Sequence, residues 1–433
     1  MSSGGKSAQN GTYILSSRLT DWATHSSFKV NLPALTGARF LAASSIVVYH
    51  YGLGPLAAIS TSLAQCAQAG PTAVSFFYVL SGAVITWGCT GRDGASGRPR
   101  QVFWTQRARR ILPAYLLALL LSAGPAALHV WHLHPGAPGL IRIVAGVGGS
   151  LLLVQALWPP LAEGFNTPGW SISCEAFFYA LWPWLVRQLR TERAGLPWRR
   201  GLSLWGAGLI LPALGVAALR ANIVAGGTIA TLTHDVSGAE MLARTLSYFP
   251  PIRLPEFALG IVIGHALRQT PPRVRSMPVD TLREALLAGA LIICALALGS
   301  GVLSRVLGIP LADRIAIESG LLAPLFGLSV WQLARGRGGL QRILSSRPAV
   351  VLGEASYAMY ILQEPVVVWS TALLKRSAPS VAANWTVVFW VYFVLLVLVS
   401  MLVVRSVERP ARAVLARMTG LGVSRSEPPR AGR

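Results

Sequence analysis

Apolar runs of about 20 residues recur along this chain, separated by short arginine-rich connections. A run of that length crosses the roughly 30 Å of bilayer hydrocarbon as a helix. Because lipid supplies no hydrogen bonds to backbone, repeated runs imply an all-α polytopic transmembrane helix bundle. Of 433 residues, 53% are hydrophobic and 12% charged, where a soluble domain carries about 25% charged residues. The runs fall near 33–53, 72–90, 111–131, 141–157, 170–187, 203–221, 252–268, 284–303, 315–334, 349–372 and 386–405. They predict about ten spans, or eleven. Residues 1–31 read as a polar cytoplasmic tail, 32–412 as the membrane domain and 413–433 as a disordered basic tail.

Lys and Arg total 38 against 16 acidic residues, a net charge of +22. The excess sits between the apolar runs, which points to cytoplasmic loops facing anionic lipid. Nucleic-acid binding is excluded as a reading, since no basic patch belongs to a soluble domain. Cys66, Cys89, Cys174 and Cys294 are scattered, with neither disulfide nor metal-ligand spacing, so no metal site is expected. Residues before Leu32 lack the apolar core of a signal peptide, and the first run is expected to act as an uncleaved anchor. These features place the protein in the cytoplasmic membrane with both termini in the cytoplasm.

One conflict of parity appears. The Arg-rich stretches ending at Arg110 and starting at Arg187 both belong on the cytoplasmic side, yet three apolar runs lie between them. An even number of crossings is required. The Pro- and Gly-rich stretch 158–175 is the suspect for a re-entrant segment, because irregular backbone at membrane depth must be buried in protein.

The first run, Leu32–Gly52, carries Arg39 and His50. Eleven residues amount to three turns plus about 20°, so both point from one helix face, roughly 16 Å apart along it. Snorkelling to opposite interfaces is the bland alternative. Ionisable residues within spans, however, usually face the interior and mark function.

Three other stretches place polar groups in apolar helices. Trp170-Ser171-Ile172-Ser173-Cys174-Glu175 follows Pro168-Gly169, with Ser171, Glu175 and Phe178 on one face. Glu175 either faces the positive end of the helix dipole or answers Arg39 or His50. Arg107 and Arg110 share a face ahead of Ile111 and Pro113, either as a topological anchor or as a bidentate phosphate clamp. Tyr357, Tyr360 and Glu364 form a stripe ahead of Pro365, where packing tyrosines are the commoner outcome. No serine-hydrolase elbow, zinc-helix or P-loop motif is present.

Together these stretches resemble the acyltransferase 3 family of bacterial membrane O-acyltransferases. The carrying residues are Arg39 with His50, Phe76 through Gly82 including Ser81, Arg107 through Arg110 with Ile111 and Pro113, Trp170-Ser171 with Glu175, Phe178-Tyr179, Ser356-Tyr357 with Tyr360 and Pro365, and Val407 through Pro410. The likeness runs from about Leu32 to Arg412. It implies acyl-CoA as donor substrate, no permanently bound cofactor, and a hydroxyl acceptor on a carbohydrate, a cell-envelope glycan or a macrolide-like molecule. Some members of that family carry a fused esterase-like domain, and the stand-alone form is the expectation for this chain.

His50 is then the expected general base, its imidazole suited to neutral pH. Glu175 is expected to orient it or hold the acceptor. Arg39 is expected to stabilise the oxyanion or bind CoA phosphates, with Arg107 and Arg110 on the nucleotide. Ser81, Trp170, Ser171, Tyr357 and Tyr360 are the expected substrate contacts. Two positions depart from the family pattern. Gln363 stands where histidine is common, and Ala83 stands where phenylalanine is usual, which fits either a roomier pocket or a shifted helix contact. The rival reading is a transporter or flippase using Arg39, His50 and Glu175 for substrate or protons; a catalytically dead scaffold is the third.

Overall fold

The computed structural model describes residues 32–91, 99–190, 197–224, 238–270, 276–309 and 311–419. The expected tail 1–31, Arg92, Asp93 and Arg98, His234 and Asp235, and residues 420–433 lie outside them. No β-strand occurs among the described residues, and the chain is an all-α, multi-pass membrane bundle. The principal helices, in order, are α1 Pro33–Tyr51, α2 Thr72–Cys89, α3 Arg100–Leu133, α4 Ala137–Leu151 and α5 Gly169–Gln188. They continue as α6 Pro197–Gly208, α7 Ile210–Val224, α8 Gly238–Tyr248, α9 Pro250–Gln269 and α10 Met277–Gly299. The last are α11 Ala312–Glu318, α12 Ala323–Arg335, α13 Arg347–Ser377, α14 Trp385–Val403 and α15 Arg409–Met418. Helix α15 runs into the stretch expected to be a disordered tail.

Among the described residues, six helical stretches are long and apolar enough to cross a membrane. Helices α1, α5, α9 and α13 have 19, 20, 20 and 31 residues, long enough to span but less apolar. They hold Arg39, Glu175, the Arg253–Glu256 pair and the Tyr357–Tyr360 stripe. The polar groups that lower their hydropathy are those the interior uses.

The stretch behind the parity conflict is organised around Tyr115, which lies midway along α3. Its hydroxyl donates to the carbonyl of Ser150, at the end of α4, at 2.8 Å. Gln155 donates from one amide nitrogen to Tyr115 Oη at 3.1 Å and to the carbonyl of Gly169, at the start of α5, at 2.9 Å. So α4 ends and α5 begins at the same level of α3. At 15 residues, α4 is only about 22 Å long, shorter than the roughly 30 Å hydrocarbon core. Parts of the irregular segment between α4 and α5 are tied to neighbouring helices: Ala156 N–H donates to Ser173 Oγ, and Thr167 N–H to Glu364.

Prolines within helices free a carbonyl four residues back, and three of these carbonyls are met by side chains from neighbouring elements. Pro365 frees Ile361, which accepts from Asn166 Nδ2 at 3.1 Å. Pro183 frees Tyr179, which accepts from the Trp104 indole at 3.0 Å. Pro125 frees Leu121, which accepts from the Trp369 indole at 3.0 Å.

Glycine permits the two close helix crossings that frame the interior. A Cβ on Gly353 of α13 would lie 1.9 Å from the Thr36 carbonyl of α1, and one on Gly260 of α9 would lie 2.2 Å from the Val79 carbonyl of α2. Gly260→Ala is expected to destabilise the protein by about 1–3 kcal/mol through overpacking. Gly54→Ala, where a Cβ meets nothing within 4 Å, should leave the melting temperature of the detergent-solubilised protein unchanged. Equal melting of the two variants would contradict the packing argument.

Candidate active site

Helices α1, α2, α3, α5 and α13 enclose a cavity of about 210 Å³. Arg39 enters it from α1, Ser81 from α2, Arg107 and Arg110 from α3, Ser171 and Glu175 from α5, and Tyr357 and Tyr360 from α13. Eight of the ten residues singled out in the sequence therefore meet in one space. Each does so because helical periodicity turns it inward: Arg107 and Arg110, or Ser171 and Glu175, lie one turn apart on a single stripe.

Its polar floor is an ordered hydrogen-bond chain. Tyr179 donates to Glu175 at 2.9 Å and accepts from Ser81 Oγ at 2.9 Å. Tyr179 was missed as a site residue, although its place four residues after Glu175 put it on the same face. At the inner end, Ser171 Oγ lies 2.8 Å from Tyr360 Oη and donates to the Pro168 carbonyl at 3.0 Å. Tyr357 donates to the Ile111 carbonyl at 2.9 Å.

The charges around this chain are unbalanced. Glu175 is the one carboxylate among the lining residues, against the guanidinium groups of Arg39, Arg107 and Arg110. None of these three arginines forms an ion pair or hydrogen bond among the described residues, and Arg107 Nε is buried without a partner. Arg110 is exposed, but Arg39 and Arg107 are half-buried, and a guanidinium drawn into low dielectric without an anion is costly. The lining of the cavity carries an excess of positive charge.

His50 lies elsewhere. It occupies the last turn of α1, roughly 16 Å along the helix from Arg39, and its ring is exposed. Its Nδ1 is 2.8 Å from Oε1 of Gln363. The expectation that Glu175 orients His50 is therefore corrected: Glu175 belongs to the arginine cavity and to Tyr179. Arg39 is likewise too distant to stabilise an oxyanion formed at His50. Trp170 is corrected too. It is buried, its ring 4.6 Å from that of Tyr248 on α8, because one helical step of 100° turns it away from the Ser171 face.

Behind the cavity wall lies a buried ion pair that sequence reasoning did not single out. Arg253 Nε and Glu256 Oε1 are 2.6 Å apart, with side chains 1% and 2% exposed. The Arg253 guanidinium sits 5.4 Å from the Tyr78 ring centroid and donates to Ser75 Oγ of α2 at 3.2 Å. From there, polar contacts run outward. Ser247 donates to Glu318 at 2.5 Å, Arg314 pairs with Glu318 and Glu240, and Arg244 pairs with Glu240 and Glu163. This network ties α9 and α8 to α11 and to the segment that precedes α5.

Residues 32–405 match the acyltransferase domain that defines the acyltransferase 3 family. The chain belongs to the acyltransferase 3 family. It is 33% identical over 250 residues to the acyltransferase MdmB of Streptomyces mycarofaciens, covering 55% of this chain and 58% of that one. It is 23% identical over 368 residues to the peptidoglycan O-acetyltransferase OatA of Listeria monocytogenes, covering 81% of this chain and 51% of that one. The chain thus spans little more than half the length of these relatives. No solved structure matches it. Of the two departures from the family pattern, Ala83 does not line the cavity. Its carbonyl lies 2.5 Å from where a Cβ on Gly264 of α9 would be, so residue 83 sits at the α2–α9 contact, the second of the two expected alternatives.

Proposed function

We propose that this protein is a membrane-embedded O-acyltransferase that moves a short acyl group from acyl-CoA to a hydroxyl of a carbohydrate, cell-envelope glycan or macrolide-like small molecule. The observation that carries the reading is the cavity with three unpaired guanidinium groups against one carboxylate. A polyanionic nucleotide fits that charge, and guanidinium binds phosphate oxygens bidentately. Family membership supplies the reaction class, and the name of one relative, a peptidoglycan O-acetyltransferase, supports a cell-envelope glycan among the acceptors.

In this account Arg39, Arg107 and Arg110 hold the phosphates, while the lone carboxylate of Glu175, which accepts from Tyr179, leaves the lining with a net positive charge. Ser81, Ser171, Tyr357 and Tyr360 offer hydroxyls along the cavity wall to the donor's pantetheine arm. That flexible arm carries the thioester along the α1 face toward His50. There the imidazole removes the acceptor's hydroxyl proton as its oxygen attacks the thioester carbon. The carbon–sulfur bond breaks and the thiolate leaves, taking the proton from His50.

The test is purified protein in nanodiscs mixed with radiolabelled acyl-CoAs and a panel of glycans and macrolides. Release of free CoA thiol with label on an acceptor is the expected result. Solute or lipid movement across vesicles without thiol release would favour a transporter instead. Arg107→Ala with Arg110→Ala should raise KM for acyl-CoA about 10–100-fold, about 1.4 kcal/mol per tenfold, with kcat less affected. An unchanged KM would remove these arginines from donor binding.

A further inference from the structure

We propose that Gln363 is a positioning residue that fixes the tautomer of His50 and leaves Nε2 of that ring as the proton acceptor. The inference rests on the reading of His50 as general base. Gln363 is fully buried and held at both ends of its amide. Its Nε2 donates to the carbonyl of Tyr360 at 2.8 Å, while its Oε1 lies 2.8 Å from His50 Nδ1. Its own backbone carbonyl accepts from the Tyr392 hydroxyl at 2.9 Å, so α14 anchors the same turn of α13. Turning the amide over would set Oε1 against the Tyr360 carbonyl, two acceptors face to face in a buried place, and would forfeit that hydrogen bond.

An amide locked this way presents only an acceptor to the imidazole. Nδ1 must then carry the proton, and neutral His50 keeps its lone pair on Nε2. Nε2 has no hydrogen-bond partner among the described residues, and the ring is exposed, so that lone pair is open to an arriving hydroxyl. A base oriented by a third group is the usual arrangement for activating a nucleophile. Here a neutral amide fills that place, at a position where histidine is common in the family. During transfer the hydroxyl proton passes to Nε2 and on to the departing sulfur, while Nδ1–H stays on Gln363 throughout.

The experiment is nitrogen-15 NMR of histidine-labelled protein in nanodiscs, with the His50 signals assigned by their absence in His50→Gln, alongside steady-state kinetics. The wild type should show a protonated Nδ1 and a bare Nε2. Gln363→Leu should shift His50 toward the Nε2-protonated form and lower kcat by about 10²-fold, with KM for acyl-CoA unchanged. Gln363→Glu keeps an oxygen facing Nδ1 and should restore both the tautomer and most of kcat. An Nε2-protonated His50 in the wild type overturns the proposal whether or not any variant folds. So does a Gln363→Leu protein with the wild-type tautomer, or one with full kcat. An active His50→Ala protein would instead sink the general-base reading and leave the tautomer assignment standing.

Discussion

Replacing His50 with alanine should lower acyl transfer by about 10²–10⁴-fold, the usual loss when a general base is removed. The ring sits at the exposed end of α1 and makes one side-chain hydrogen bond, to Gln363. Its loss should therefore leave insertion and melting nearly unchanged. Because the arginine cavity lies roughly 16 Å away along the helix, KM for acyl-CoA should stay within about twofold, well under one tenfold step of 1.4 kcal/mol. A fall in kcat alone is the signature of a group acting on the reacting atoms. Near-normal turnover by this variant would show that the proton leaves by another route.

The second large effect is structural. Glu256→Ala should destabilise the protein by about 3–5 kcal/mol, because it strands the Arg253 charge where no water reaches it. Both side chains are almost fully buried, and Arg253 also supports Ser75 and packs over Tyr78. The damage should therefore reach the cavity wall as well as α9. Removing both charges together, as Arg253→Met with Glu256→Leu, should be far milder, since an apolar pair of similar volume avoids the desolvation cost. Thermal melting of the three proteins in one detergent checks this. If the double variant melts below Glu256→Ala, the cost does not come from a stranded charge.

Much of this was legible before any coordinates. Long apolar runs announce spans because lipid leaves no other choice of structure. A charge inside such a run stands out, so Arg39, Glu175, Arg107 and Arg110 could be picked out along with the tyrosines of α13. Their meeting in one cavity follows from the faces on which the helix period placed them. What stayed hidden depends on three dimensions. The meeting of the end of α4 with the start of α5 shows in the Tyr115–Ser150 and Gln155–Gly169 contacts, whereas hydropathy sees only two separate apolar runs. Glu175 lies near Arg39 and not His50 because of the axial level at which α5 begins, and periodicity says nothing about level. In the sequence Gln363 is only a departure from a common histidine. Its meaning lies in a partner 313 residues away.

The central claim is that the arginine cavity receives the acyl donor while His50 acts on the acceptor at a separate level. Equilibrium binding of CoA to the purified protein tests this most directly, by calorimetry on three variants beside the wild type. The account predicts that Arg39→Ala and the Arg107→Ala, Arg110→Ala double variant each bind CoA at least about tenfold more weakly, a loss of about 1.4 kcal/mol. It predicts that His50→Ala binds like the wild type. CoA binding that survives removal of the arginines, or falls on removal of His50 alone, would contradict it.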